Sequence, residues 1–343
     1  MSAFDSRIAA FGRWLDEAFS GFALRGSPVA LESRDAVRER FVDAAAFYAD
    51  PDVRAHLFAP PPAIAPAVSH PLHLGPGEAV ELRWPSTYEP LHAEYAETLG
   101  RYPEARACVA RWVRHPEPRP AVILIHGWTM GFFAVDATVL RARWLYQHGL
   151  DVVHVVLPFH GQRAPLERLV PPVFPSYVRP ARTTEAFAQT VTDIRALVRH
   201  LLHAGVPEVG AFGLSLGGFT GALLATAAPE LSYLVAAIPF ASLADLAWPE
   251  DDAAPSAMAS LGLSREEFVA AFDAACPLSR APANPDARVA IVYGEHDRMT
   301  PPDHARRLHE HFPGSRLVGF PGAHLVQRGR QVMFDAVLDV ARG

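Results

Sequence analysis

Residues 211–220 read "AFGLSLGGFT", and the fold of the whole chain hinges on what Ser215 does there. An apolar run, "EVGAFGL" (208–214), leads into the serine, and "LGGFTGALLATAA" (216–228) leads out with a helical texture. Glycines stand at 213 and 217, two before and two after, with another at 218. An ordinary glycine-rich turn would look like this. So would a strand-to-helix turn so tight that the serine takes strained dihedrals and its flanking positions must be small. With glycine near about 7% of residues and serine similar, Gly-x-Ser-x-Gly arises by chance roughly 0.1 times in a chain of this size. The pattern alone is suggestive, and its context decides.

Outward from Ser215 the same alternation repeats. "AVILIHG" (121–127), "DVVHVVLPFHG" (151–161), "LSYLVAAIPF" (231–240), "ARVAIVYG" (287–294) and "SRLVGF" (315–320) are short apolar strands. "EAVELRWPS" (78–86) and "ARACVARWVRH" (105–115) alternate like half-buried ones. Between them lie helical stretches: 133–149 closed by Gly149, 184–205, 302–312 and 331–341. In the second, Phe187, Val191, Ile194, Leu197, Val198 and Leu201 share one face, Thr184 is placed to cap, and Gly205 closes the end. Apolar strands alternating with amphipathic helices predict an α/β architecture, a mostly parallel, doubly wound sheet with helices on both faces. Ligands of such sheets collect at the carboxyl ends of the strands. The candidate chemistry therefore sits in "HGW" (126–128), "PFHGQR" (158–163), "GLSLGG" (213–218), "PFASLAD" (239–245), "GEHDRMTP" (294–301) and "PGAHL" (321–325).

A serine hydroxyl is a weak nucleophile and needs a base, and the base needs an orienting partner. Asp297 follows one apolar strand and His324 follows the next, so Ser215, Asp297 and His324 occupy three of these strand-end loops in that order. On "HGW", "GLSLGG", "GEHDRMTP" and "PGAHL", the chain resembles the α/β-hydrolase superfamily over residues 75–343, and is most similar to its serine esterase and peptidase-like branches. The resemblance implies Ser215 as nucleophile, His324 as general base and then acid, and Asp297 as its orienter. It implies an oxyanion hole from the backbone N–H groups of Leu216 and Trp128. It also implies a cofactor-independent serine hydrolase, a carboxylesterase working through an acyl-enzyme on a small-molecule ester. Thioesters, amides, peptides or acyl transfer are alternatives for the same apparatus, as is an inactive ligand-binding relative. "HGW" lacks the further glycines of "HGGG" lipases, and a serine nucleophile departs from the aspartate and cysteine branches.

Several residues carry rival readings. Asp245, after "IPF", is the alternative acid. His126 either pins the loop that carries Trp128 or takes part directly. His160 and Arg163 either face the pocket and hold a substrate carbonyl or carboxylate, or serve as internal partners. Phe132 and Phe240 are candidate substrate-lining residues, with Phe133, Phe159, Phe174, Tyr177, Leu246 and Trp248 as further apolar lining. His304, His309 and His311 lack the spacing that puts two metal ligands on one helical face, no HExxH occurs, and they read as a solvated surface. No metal is expected.

Phe4, Ile8, Phe11, Leu15 and Phe19 form one face of an amphipathic helix, and a second helix spans about 34–49. This segment, residues 1–70, is expected to pack on the main domain. A lid, a homodimer contact or membrane association are the other uses of such a face. "APPPAIAP" (59–66) is a stiff connector to the α/β domain of 75–343. Two stretches, 164–183 and 245–286, are too long for plain connections and are expected to be lid-like insertions. The net charge of −6 carries no basic footprint for nucleic acid. All 31 basic residues are arginine, which removes P-loop and Schiff-base lysine chemistry. Two cysteines without metal or redox spacing suit a reducing compartment. The first residues lack a basic, apolar, cleavable leader, and no run is long enough to span a membrane, so the expected location is the cytoplasm.

Overall fold

The computed structural model describes residues 33–74, 77–165, 174–248, 259 and 262–343. Its centre is one ten-stranded sheet. In chain order the strands are β1 (Ala67–Val68), β2 (Leu72–Leu74), β3 (Gly77–Pro85), β4 (Ala107–Arg114), β5 (Ala121–Ile125), β6 (Asp151–Val155), β7 (Val209–Leu214), β8 (Tyr233–Ala237), β9 (Arg288–Gly294) and β10 (Arg316–Phe320). The spatial order is β1-β3-β4-β6-β5-β7-β8-β9-β10, with β2 also pairing β3. From β6 to β10 every pairing is parallel, while β3–β4 and β4–β6 are antiparallel.

The period-2 alternation of side chains explains why these strands read as unbroken apolar runs. Ile123, Ala211, Leu234 and Ile291 point into one core, and Leu124, Phe212, Val235 and Val292 into another on the opposite face. The helices are α1 (Arg34–Ala49), α2 (Pro51–Leu57), α3 (Ala93–Arg101), α4 (Phe133–Val139), α5 (Ala142–Gln147), α6 (Pro180–His203), α7 (Leu216–Ala225), α8 (Leu243–Ala247), α9 (Arg265–Phe272), α10 (Pro302–His311) and α11 (Gln331–Arg342). Those of the first core include α6, α7 and α10, and those of the second α5 and α11. No helix among the described residues is long and apolar enough to cross a membrane.

The single helix expected over 133–149 is two, α4 and α5, because Arg141 takes a left-handed φ of 50° between them. The break lets Phe133 pack on Val109 and Val156 while Leu145 enters the α11 side of the core. The Arg141 guanidinium lies over the rings of Trp144 and Phe334, 5.2 Å from each centroid.

The stretch Phe4–Phe19 lies outside the described residues, as do 166–173 and most of 249–261 within the two insertions. Helix α1 packs on α9 and α6. Val37, Phe41, Ala44 and Tyr48 form its buried face, and the Phe41 ring stacks on Phe268 at 5.3 Å. Helix α9 starts with a full capping box between Ser264 and Glu267. Glu185 of α6 is fully buried, and burial raises the pKa of its carboxyl against the pull of its hydrogen bonds. It accepts from the hydroxyls of Tyr48 (3.2 Å) and Tyr88 (3.1 Å) and from the backbone N–H groups of Leu91 and His92. A buried carboxylate is tolerable only with such a set of donors.

Candidate active site

The short stretch "GLSLGG" folds as a forced turn. Ser215 closes β7 and caps α7 at φ 55°, ψ −112°, a conformation that costs about 1–3 kcal/mol unless its surroundings hold it. They do. Its N–H donates to Ala237 O at 2.8 Å, and its carbonyl accepts the Phe219 N–H at 3.0 Å. A Cβ on Gly213 would lie 1.9 Å from Gly217 O, and one on Gly217 would lie 2.0 Å from Ile125 O. Both are backbone atoms with no freedom to step aside, so the two glycines are a steric requirement of the turn.

His324, in the loop after β10, brings Nε2 to 2.8 Å from Ser215 Oγ. Its Nδ1 lies 2.7 Å from Asp297 Oδ2. Facing a carboxylate, Nδ1 carries the proton, which leaves Nε2 as acceptor for the serine hydroxyl. Asp297 is 2% exposed, and its Oδ1 accepts the N–H groups of Met299 (2.9 Å) and Thr300 (2.7 Å). The imidazole is thus held on one side while its other nitrogen faces the serine.

The loop after β5 supplies the neighbouring wall. A Cβ on Gly127 would lie 3.9 Å from Ser215 Cβ, which sets this loop beside the serine. Fully buried His126 accepts the Leu157 N–H on Nε2 (3.1 Å), so its Nδ1–H donates to Gly127 O (2.8 Å). Burial, with His160 adding repulsion, pulls its pKa down to about 3, and the ring is neutral. Amide C=O and N–H point in opposite directions across a peptide plane. Turning Gly127 O toward His126 therefore turns the Trp128 N–H away from it. Leu216 opens α7, where the first amides have no preceding carbonyl of the helix to bond. The far end of the loop is held by Asp136, whose Oδ1 accepts the Gly131 N–H at 3.2 Å and whose pKa burial raises to about 6. A Cβ on Gly161 would come within 1.9 Å of Gly131 O, so this end is also clamped against the loop after β6.

Solved structures share this arrangement of strands. The chain superposes on acetyl xylan esterase 1 from Thermoanaerobacterium sp. with a TM-score of 0.59 at 16% identity, covering 90% of this chain and 93% of that one. An acetyl xylan esterase from Paenibacillus sp. R4 gives 0.60 at 12% identity, covering 88% and 94%. This is the α/β-hydrolase fold. No protein-family model matches the sequence. Uncharacterized proteins from two strains of Mycobacterium tuberculosis are each 32% identical to it over 254 residues, or 73% of this chain. The chain spans 56% of the length of these curated relatives.

Within the α/β-hydrolase fold, the structure brings Ser215, Asp297 and His324 together, with Leu216 and the Trp128 loop beside them. Other expectations need correction. Arg163 does not face a pocket. It is 2% exposed, pairs with buried Asp193 at 2.8 Å and donates to Val156 O at 3.0 Å. His160 is fully buried behind the Trp128 loop, with its ring 5.0 Å from that of His126 and Nδ1 at 3.0 Å from Pro158 O. Phe132 is 58% exposed at the start of α4, so it is no buried lining residue. Phe240 is buried and stacks on Phe219 at 4.4 Å, one turn beyond the serine. Asp245, the alternative acid, is bound by Arg265 and Arg307. His304 is not solvated. It is buried on the inner face of α10, accepts the Ala241 N–H at 3.2 Å, and burial lowers its pKa to about 4. His309 and His311 bond Ser315 Oγ and Arg280 O. Among the described residues no group of three His, Cys, Asp or Glu side chains is arranged for a metal.

One residue at the centre escaped sequence reasoning. Thr300 is 4% exposed, and its Oγ1 lies 2.9 Å from Asp297 Oδ2 and 3.1 Å from His324 Nδ1. Its signal was present, a threonine three residues after an aspartate, a spacing at which the aspartate accepts the downstream N–H groups.

Proposed function

We propose that the chain is a serine hydrolase that cleaves carboxylic esters through an acyl-enzyme. One observation carries this: a single imidazole stands 2.8 Å from a serine hydroxyl on a strained elbow and 2.7 Å from a buried carboxylate. Ser215 Oγ attacks the ester carbonyl as its proton passes to His324 Nε2. Asp297 stabilises the imidazolium without taking its proton. The oxyanion of the tetrahedral intermediate accepts hydrogen bonds from the Leu216 and Trp128 amides, at the positive end of α7. Collapse breaks the carbonyl–alkoxide bond, His324 protonates the departing alcohol, and the acyl group remains on Ser215. Water then attacks the acyl carbon, gives its proton to His324, and the acid leaves as the serine recovers its hydrogen.

An inactive ligand-binding relative has no need for this three-residue geometry, and the intact contacts favour catalysis. Both solved structures compared above are acetyl xylan esterases, so short acyl esters are the first substrates to try. Thioesters, amides and acyl acceptors other than water belong in the same panel. Cys108 and Cys276 are both free, which fits the reducing cytoplasm as the site of action. The test is labelling by a fluorophosphonate and turnover of p-nitrophenyl esters of increasing chain length. Wild type should be labelled and Ser215→Ala should lose both labelling and turnover while keeping its unfolding transition. A folded wild type that resists the probe while control hydrolases react would refute the proposal.

A further inference from the structure

Ile238 is buried at 1% exposure and β-branched, yet it holds φ at 44°. Such a residue in the left-handed region is a true outlier and needs a reason. Ile238 follows β8 directly. Its N–H keeps the ladder, donating to Val292 O of β9 at 2.6 Å. In a regular parallel ladder the carbonyl of the same residue would bond the same neighbouring strand. The positive φ diverts it instead, and Ile238 O accepts from Thr300 Oγ1 at 3.1 Å. The carbonyl one residue earlier, Ala237 O, accepts the Ser215 N–H at 2.8 Å. Two consecutive carbonyls therefore anchor opposite ends of the site, the serine elbow and the aspartate loop.

Thr300 stands where these ties meet. Its N–H donates to Asp297 Oδ1 at 2.7 Å. Its single hydroxyl proton is shared between Ile238 O and Asp297 Oδ2, at 3.1 and 2.9 Å. Whichever of the two oxygens takes the proton, an Oγ1 lone pair faces His324 Nδ1–H at 3.1 Å.

We propose that Thr300 is a positioning residue of the triad, its hydroxyl tethering the aspartate and imidazole to the strained Ile238 carbonyl so that elbow and acid loop share one anchor. The assignment rests on the serine-hydrolase reading above. Thr300→Val keeps the shape and removes the hydroxyl, and Thr300→Ser keeps the hydroxyl. The valine variant should lose about tenfold to a hundredfold in kcat, the scale set by a misplaced reacting group. KM should stay within about twofold, because substrate does not touch Thr300. Serine should restore most of kcat. Thr300→Ala, measured alongside, gives the same comparison should valine fail to fold. If folded Thr300→Val or Thr300→Ala turns over at the wild-type rate, or serine loses as much kcat as valine, Thr300 only fills space and the assignment is overturned. Fluorophosphonate labelling of the wild type separates the two levels. An unlabelled wild type overturns both readings, whereas a labelled one with unaffected Thr300 variants overturns this one alone.

Discussion

Gly217→Ala tests the elbow most sharply, because the added atom meets only backbone. The new Cβ would stand 2.0 Å from Ile125 O, 2.6 Å from Ile125 C and 2.8 Å from His126 O. Real Cβ atoms essentially never approach closer than 3.0 Å, so the first contact requires a shift of 3.0 − 2.0 = 1.0 Å. Ile125 ends a central strand paired on both sides, and His126 is wedged by its own two bonds. The turn that carries Ser215 therefore moves. Adding 1.0 Å to the 2.8 Å between Ser215 Oγ and His324 Nε2 takes that pair to about 3.8 Å, beyond hydrogen-bond reach. Misplacement on this scale costs about a hundredfold in rate, and overpacking of a tight site about 1–3 kcal/mol in stability. The assay pairs kcat for a p-nitrophenyl ester with urea unfolding. Gly100→Ala is the control. It lies in α3, a Cβ there meets nothing within 4 Å, and it should leave rate unchanged and stability equal or higher. A Gly217→Ala protein with wild-type kcat and an unmoved unfolding midpoint would show that the elbow has slack, and the steric account of the motif would fail.

The remaining predictions concern the acids, the buried arginine and pH. Asp297→Asn should lower kcat by about four orders of magnitude, while Asp245→Asn, which only loosens a tie between two arginines, should keep kcat; equal losses would reopen the choice of acid. Arg163→Met leaves Asp193 buried without its ion-pair partner, held only by the Ser86 hydroxyl at 2.6 Å, so it should lower stability by about 3–5 kcal/mol without raising KM, and a raised KM in a protein of unchanged stability would return Arg163 to the pocket. His126 is held near 3, and His154, His160 and His304 near 4, all below the ordinary 6.5 chiefly by burial. Below 6.5 the unfolded chain binds protons at these rings that the native state refuses, so stability should fall steadily as pH drops from about 6.5 toward 4. Asp136, raised to about 6, and Glu185, also raised by burial, work in the opposite direction over part of that range. A urea midpoint that does not move between pH 7 and 4.5 would contradict the burial of the rings.

Much of this site was legible because its determinants are local. A glycine two positions from a serine, or an aspartate at the end of an apolar run, is visible in a few consecutive letters, and strand ends converge by topology. The residues that local pattern does not place depend on partners far along the chain. Arg163 finds Asp193 across 30 residues, and Glu185 collects donors from Tyr48, Tyr88 and the loop at 91–92. His304 shares the inner face of its helix with Leu308, a cue hidden among charged neighbours. The kink at Arg141 reflects two different packing surfaces, which periodicity within one segment does not encode. Thr300 was overlooked because threonine after a turn is ordinary, and only the diverted Ile238 carbonyl makes it otherwise.

The contact between α1 and α9 joins the first helix after Ser33 to an insertion more than two hundred positions later. Phe41 lies on Phe268 and Phe272, Arg38 reaches Glu267, and Arg54 reaches Asp273. Whatever motion the insertion undergoes must carry the early helix with it. A version trimmed to begin at the proline connector would leave two aromatic rings wet and rob a sunken carboxylate of the Tyr48 hydroxyl. Such a protein would clump on expression, and losing its activity that way would say nothing about the chemistry.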